Sequence, residues 1–138
     1  MTALLTVLVV DDDHRARAAL VRALDDCPGL RAVGLDQEQA ARLADVRATH
    51  ANAVVVDLPR ATTRSLRAVR SLAALAPVLV TSLSGAVAGA ARAAGATAFV
   101  EKDGDGDALV DRIALHVRAS VAQNADVHVH GHDGEAGS

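Results

Sequence analysis

Short runs of β-branched and aliphatic residues alternate along this chain with Ala- and Arg-rich stretches whose apolar positions recur at helical spacing. Residues 5–10, LTVLVV, are apolar without interruption, as a strand covered on both faces requires. From Arg15 to Asp26 the apolar positions Ala16, Leu20, Val21 and Leu24 share one helical face, and Pro28-Gly29 ends that helix. LRAVGL (30–35) predicts a second strand. Asp36 and Gln39 form a capping-box pattern, opening a helix whose inner face is Ala40, Leu43 and Ala44. ANAVVVD (51–57) predicts the third strand, and Leu66, Val69 and Leu72 mark the helix after it. PVLVTS (77–82) predicts the fourth. Ser84 can cap a short helix running through Ala94 and stopped at Gly95. TAFVEK (97–102) predicts the fifth strand, and Leu109, Val110, Ile113, Ala114 and Val117 give the last helix its apolar face. Past about Ser120 the periodicity is lost. The polar stretch 122–138, with its glycines and histidines, predicts a disordered tail on a folded domain of residues 1–121.

Alternation of this kind implies an α/β fold in which right-handed crossovers place helices on both faces of a parallel sheet. Ligand chemistry in such folds gathers at the C-terminal ends of the strands. Those ends carry Asp11-Asp12-Asp13, Asp57, Thr81-Ser82 and Lys102. A dinucleotide-binding turn would be rich in glycine, whereas three carboxylates after the first strand repel a pyrophosphate. Carboxylates converging on one sheet edge stay ionised together only around a hard cation, and Mg²⁺ suits two carboxylates, a backbone carbonyl and several waters. A phosphoryl group could then lie between that ion, the Lys102 ammonium and a Thr or Ser hydroxyl. Singly, a strand-end aspartate is as readily an N-cap, and a lysine surface charge. The joint placement of acids, hydroxyl and lysine favours chemistry.

Composition narrows the picture further. With 138 residues, 51% hydrophobic and 22% charged, the chain has the size and balance of one soluble globular domain. Its net charge of −3 argues against a partner recognised through a phosphate backbone. The single cysteine, Cys27, excludes an intramolecular disulfide and a Cys-based zinc site; it suits a reducing cytoplasm and a small hydrophobe's place at a helix end. MTALLTVLVV is too short to span a bilayer and lacks a basic n-region, and no later run reaches membrane length. Phe99 is the only aromatic residue and Lys102 the only lysine among 14 Lys and Arg. Asp103, Asp105 and Asp107 imitate a calcium loop, but Ala108 and Ala114 stand where it needs Gly and Glu; acids at a helix N-terminus explain them. His128, His130 and His132 with Asp133 could chelate a transition metal in vitro, at the ordering cost of a flexible tail.

LTVLVVDDDHRARAALVRAL, NAVVVDL, PVLVTSLSG and AGATAFVEKDGDGDALVDRI, in this order and spacing, resemble the receiver domain of bacterial two-component response regulators. The resemblance covers residues 5 to about 118. It implies a flavodoxin-like, doubly wound five-stranded parallel sheet of order 2-1-3-4-5 within three α/β/α layers. It also makes Asp57 the phospho-acceptor, and Asp11 and Asp12 the acid pair, with Asp12 the more direct Mg²⁺ ligand. The Pro59 carbonyl falls at the main-chain metal ligand, Lys102 at the phosphate-binding lysine and Phe99 at the aromatic switch. The switch hydroxyl is open between Thr81 and Ser82. Counting along the strand from Pro77 selects Ser82; the spacing to Lys102, and a small neighbour for the hydroxyl, select Thr81. The loop after the acceptor, DLPRATTRSL, is shorter than the family's by more than a helical turn, and Asp103 stands where a proline is usual.

The function implied is a phosphorylation-controlled signalling switch that accepts a phosphoryl group on Asp57 with Mg²⁺. It would catalyse only its own phosphorylation and dephosphorylation. The partners implied are a sensor histidine kinase or phosphotransfer protein and an output partner at the face formed by the fourth helix, fifth strand and fifth helix. There is room for a homodimer, and no membrane or direct nucleic-acid contact is expected. Two alternatives stand beside this. A pseudo-receiver would bind partners without phosphorylation, which the shortened loop would suit. A haloacid-dehalogenase-type phosphatase is imitated by Asp11-x-Asp13, Thr81 and Lys102, but Arg15 replaces its usual Thr or Val and no strand is expected after Lys102 to bring its last acid pair.

Overall fold

The uninterrupted apolar runs form the strands of a single parallel sheet whose two faces are both covered by helices. The computed structural model describes the backbone of residues 4–136 and the side chains of residues 4–124. The strands β1 (Leu5–Val10), β2 (Leu30–Leu35), β3 (Ala53–Asp57), β4 (Val78–Ser82) and β5 (Ala98–Glu101) lie in the order β2-β1-β3-β4-β5. This is the doubly wound, flavodoxin-like arrangement. Helices α1 (His14–Asp25), α2 (Gln37–Ala40), α3 (Leu43–Ala48), α4 (Thr63–Ala73), α5 (Ala88–Ala93) and α6 (Gly106–Ala136) connect and follow the strands, with a 3₁₀ turn, Gly85–Val87, leading into α5.

Alternation along the strands divides the interior into two cores. Leu8, Val10, Val54, Val56, Val78 and Val80 pack with Val46 of α3, Val69 and Leu72 of α4 and Ala91 of α5. Val7, Val9, Val55, Leu79 and Val100 pack on the other face with Leu24 of α1 and Ile113, Ala114 and Val117 of α6. With so many alanines and valines and no aromatic residue but Phe99, each core is built from small side chains.

One expectation is corrected. The capping box of Asp36 and Gln39 forms, but the helix it opens ends after one turn. Continued without a break from Ala40, its inner face would run through Leu43 and Ala44 to Arg47 and bury a guanidinium. Instead Arg42 turns extended (φ −92°, ψ 106°), its guanidinium pairs with Asp45, and α3 restarts. The new register buries Val46 and leaves Leu43 40% exposed. Helix α6 runs 31 residues, through the stretch 122–136 for which disorder is expected. Its apolar face ends with Val117 in the core and Val121 beside it. The side chains of His128, His130, His132 and Asp133 lie outside the described residues.

Gly89 is exposed within α5, and a Cβ there would meet nothing within 4 Å. Gly89→Ala should therefore raise stability by about 1 kcal/mol, read as a higher urea midpoint at unchanged slope. Gly95 is different: at φ +117° it ends α5, and a Cβ would come to 3.1 Å from that of Ala73.

Candidate functional site

The alternation that fills the two cores continues past the strand ends and sorts the polar residues there. Asp11 follows Val7 and Val9, Asp57 follows Val55, Thr81 follows Leu79, and Lys102 follows Val100, all in phase with the α1/α6 core. Asp57 and Thr81 are paired in register across β3 and β4. These four side chains accordingly line one cavity of about 340 Å³ that opens between α1 and α6, with Leu20 and Leu109 on its apolar side. Asp12 and Ser82 fall in the opposite phase.

The acceptor candidate is held from two sides. Lys102 Nζ lies 2.5 Å from Asp57 Oδ1, with the two side chains 25% and 16% exposed. Thr81 Oγ1 donates to the same oxygen at 3.3 Å. Neither contact involves Oδ2. The Lys102 backbone is anchored as well, its N–H donating to the Ser82 carbonyl at 2.8 Å. Ser82 itself is fully buried and its Oγ accepts from the Ser84 N–H at 3.2 Å, so of the two candidate hydroxyls Thr81 is the one at Asp57.

Asp11 is buried, and its Oδ1 accepts from the Asp13 N–H at 2.9 Å. Burial holds its carboxyl above the ordinary range; the Asp13 N–H opposes this, and the Asp57 charge adds to it more than Lys102 relieves. Asp13 caps α1 through the Ala16 N–H, which holds its carboxyl below the ordinary range. Arg17 reaches back from α1 to donate to the Asp11 carbonyl at 2.6 Å. Its stem crosses Gly34 of β2, where a Cβ would approach Arg17 Cγ to 3.0 Å. Sequence reasoning missed Arg17 and Gly34, although a glycine inside a strand signals a close approach.

The remaining predicted residues stand apart from this cluster. Asp12 is exposed, and its Oδ1 accepts from the Gln37 N–H of α2 at 2.8 Å. Pro59 is exposed in the loop after β3 and does not line the cavity. That short loop is closed by Leu58, fully buried with its N–H on the Thr81 carbonyl, and by a Thr62–Ser65 capping box whose Ser65 Oγ donates to the Arg60 carbonyl. Phe99 is half-buried against the α4/α5 core, beside Val80. Of the later acids, Asp105 caps α6 at the Ala108 N–H and Asp103 pairs with Arg112.

The donor chemistry fits Mg²⁺: carboxylate oxygens predominate, and a buried acid lies near a second acid with one lysine between them. Among the described residues no three His, Cys, Asp or Glu side chains converge closely enough to enclose a metal ion. An ion that keeps several of its waters needs no such enclosure. Asp11 and Asp57, which line the cavity, are the side chains that would hold it; Asp12 stands apart on Gln37.

No family sequence model and no curated protein sequence matches this chain. Solved structures do. The response regulator domain of Thermotoga maritima CheB is similar with a TM-score of 0.70 and 20% identity, over 86% of this chain and 97% of that one. A LuxR-family two-component response regulator from Aurantimonas has a TM-score of 0.69 and 28% identity, over 92% and 99% of the two chains. A LuxR-family DNA-binding response regulator from Silicibacter pomeroyi gives 0.68 and 25%, over 85% and 94%. Strand order, cavity and neighbours agree with the motifs: this chain has the receiver-domain fold of response regulators.

Proposed function

We propose that the chain is a phosphorylation-controlled signalling switch whose acceptor is Asp57. The observation that carries this reading is the convergence of Lys102 and Thr81 on Oδ1 of Asp57, which leaves the other carboxylate oxygen without either contact. That oxygen attacks the phosphorus of a phosphohistidine on a sensor kinase or phosphotransfer protein, the P–N bond breaks, and the imidazole leaves as an acyl phosphate forms. Mg²⁺, when bound, supplies charge neutralisation at the phosphoryl oxygens. Lys102 contributes a second positive charge from the floor of the cavity, and Thr81 offers a hydroxyl donor to the new phosphoryl group. An output partner then reads the α5–β5–α6 face, which carries Phe99 and is the expected face once the divided second helix is counted as two. No strand follows β5 among the described residues, so the last acid pair of a haloacid-dehalogenase-type phosphatase has no place to stand.

Intact-mass measurement after incubation with acetyl phosphate tests this reading. One phosphoryl increment is expected with Mg²⁺ present and none with a chelator. The placement of Asp12 on Gln37 and of Pro59 outside the cavity favours the pseudo-receiver as second reading. An unchanged mass under both conditions would select it.

A further inference from the structure

We infer that the cavity beside Asp57 is a binding site for a small alkylammonium ion, with its cationic head against Asp11 and its apolar tail between α1 and α6. The inference goes beyond the proposed function and does not depend on it. A metal ion and a phosphoryl group need only the polar end of the cavity, which Asp11, Asp57, Thr81 and Lys102 supply. The space continues past them. Ala19 and Ala23 of α1, Leu109 and Val110 of α6, and Val9 and Val55 of the sheet line the rest of its volume of about 340 Å³, and none of these brings a polar side chain. A largely apolar hollow with a few polar groups gathered at one end has the form of a small-molecule site.

Charge selects the ligand. Asp11, Asp57 and Asp107 line the cavity against the single cation Lys102, which is already paired with Asp57. An anion would meet two uncompensated carboxylates, and a neutral chain would leave them unanswered. Asp11 is 6% exposed and its Oδ1 accepts from the Asp13 N–H, while among the described residues no donor reaches its Oδ2. A buried carboxylate oxygen without a partner is costly. An ammonium, with three donors and no acceptor, answers it through a charge-assisted hydrogen bond. An unbranched alkyl tail then replaces water along the apolar walls.

Titration of the full chain with hexylammonium chloride in metal-free solution, followed by methyl NMR, tests this. The methyl signals of Leu109 and Val110 should shift to saturation. Each methylene taken out of water tightens binding about fourfold, so butylammonium should bind roughly 15-fold more weakly. Hexan-1-ol and hexanoate carry a tail of the same length without the cation, and each should bind at least about tenfold more weakly than the amine. Two variants locate the site. Asp11→Asn removes the partner of the head and should weaken hexylammonium binding at least about tenfold. Ala23→Leu fills the apolar end and should weaken it as much. No saturable shift with hexylammonium, equal affinities for amine, alcohol and carboxylate, or undiminished binding by Asp11→Asn would each overturn the inference, as would undiminished binding by an Ala23→Leu protein that melts cooperatively. Should Ala23→Leu not fold, the chain-length series and Asp11→Asn decide. Labelling by acetyl phosphate is measured separately. A chain that is phosphorylated but binds no amine loses only this inference, and one that binds the amine but is never phosphorylated loses only the proposed function.

Discussion

Lys102→Arg should keep the fold and Mg²⁺ binding yet slow the labelling of Asp57 by acetyl phosphate about a hundredfold, the usual effect of losing one preorganised charge or donor at a reacting group. In a chain whose other 13 basic residues are all arginine, charge alone does not explain a lysine here. The Lys102 ammonium reaches Asp57 Oδ1 at 2.5 Å from the end of β5, inside a cavity that Asp11 and Thr81 also line. A guanidinium is planar and forked and spreads its charge over three nitrogens. It meets Asp57 with a broad, fixed fork of donors in place of a compact ammonium. The rate is read by intact mass against time, and fluorine NMR on a fluorinated Phe99 reports the accompanying motion. An Arg variant that labelled and switched like the parent would reduce Lys102 to a generic counter-charge.

The acid pair predicts an effect of the opposite sign, a gain in stability. Burial and the nearby Asp57 charge raise the Asp11 pKa above its ordinary value of 3.8 in the folded chain. The folded state then binds a proton more tightly than the unfolded one, so stability falls as pH rises through the interval above 3.8. In metal-free solution at neutral pH, Asp11→Asn should accordingly raise Tm by on the order of a few degrees. The gain should shrink as pH falls through the raised pKa and vanish once Asp11 is protonated in both states. Thermal unfolding of parent and variant between pH 3 and pH 8 checks this, and an Asp11→Asn protein that is less stable at neutral pH would contradict it.

The strands were legible because helices cover both faces of the sheet, so the central strands had to be largely apolar runs; only the edge strand β2 carries an exposed arginine, Arg31. The helices were legible only where one face is wholly apolar. In the second unit Leu43 and Val46 compete for the interior, and the choice depends on keeping Arg47 out of the core, which no local pattern states. At the site, the residue types could be read from the strand ends, but their grouping depends on phase. Thr81 and Asp57 occupy the phase of Leu79 and Val55, while Ser82 and Asp12 occupy that of Val80 and Val10. Carrying the period of two past each strand end would have chosen Thr81 and set Asp12 apart from Asp11 before any coordinates. The Gln37 contact with Asp12 and the packing of Arg17 over Gly34 join separate units through neighbouring strands, and strand order brings them within reach.

The most direct test of the whole account is to locate the phosphoryl group. After treatment with acetyl phosphate and Mg²⁺, borohydride reduction converts an aspartyl phosphate to homoserine, and peptide sequencing by mass spectrometry finds the altered position. The account predicts homoserine at Asp57 and nowhere else, with none in a chelator-treated control. Conversion at Asp11, Asp12 or Asp13, or a chain with no altered aspartate, would contradict it.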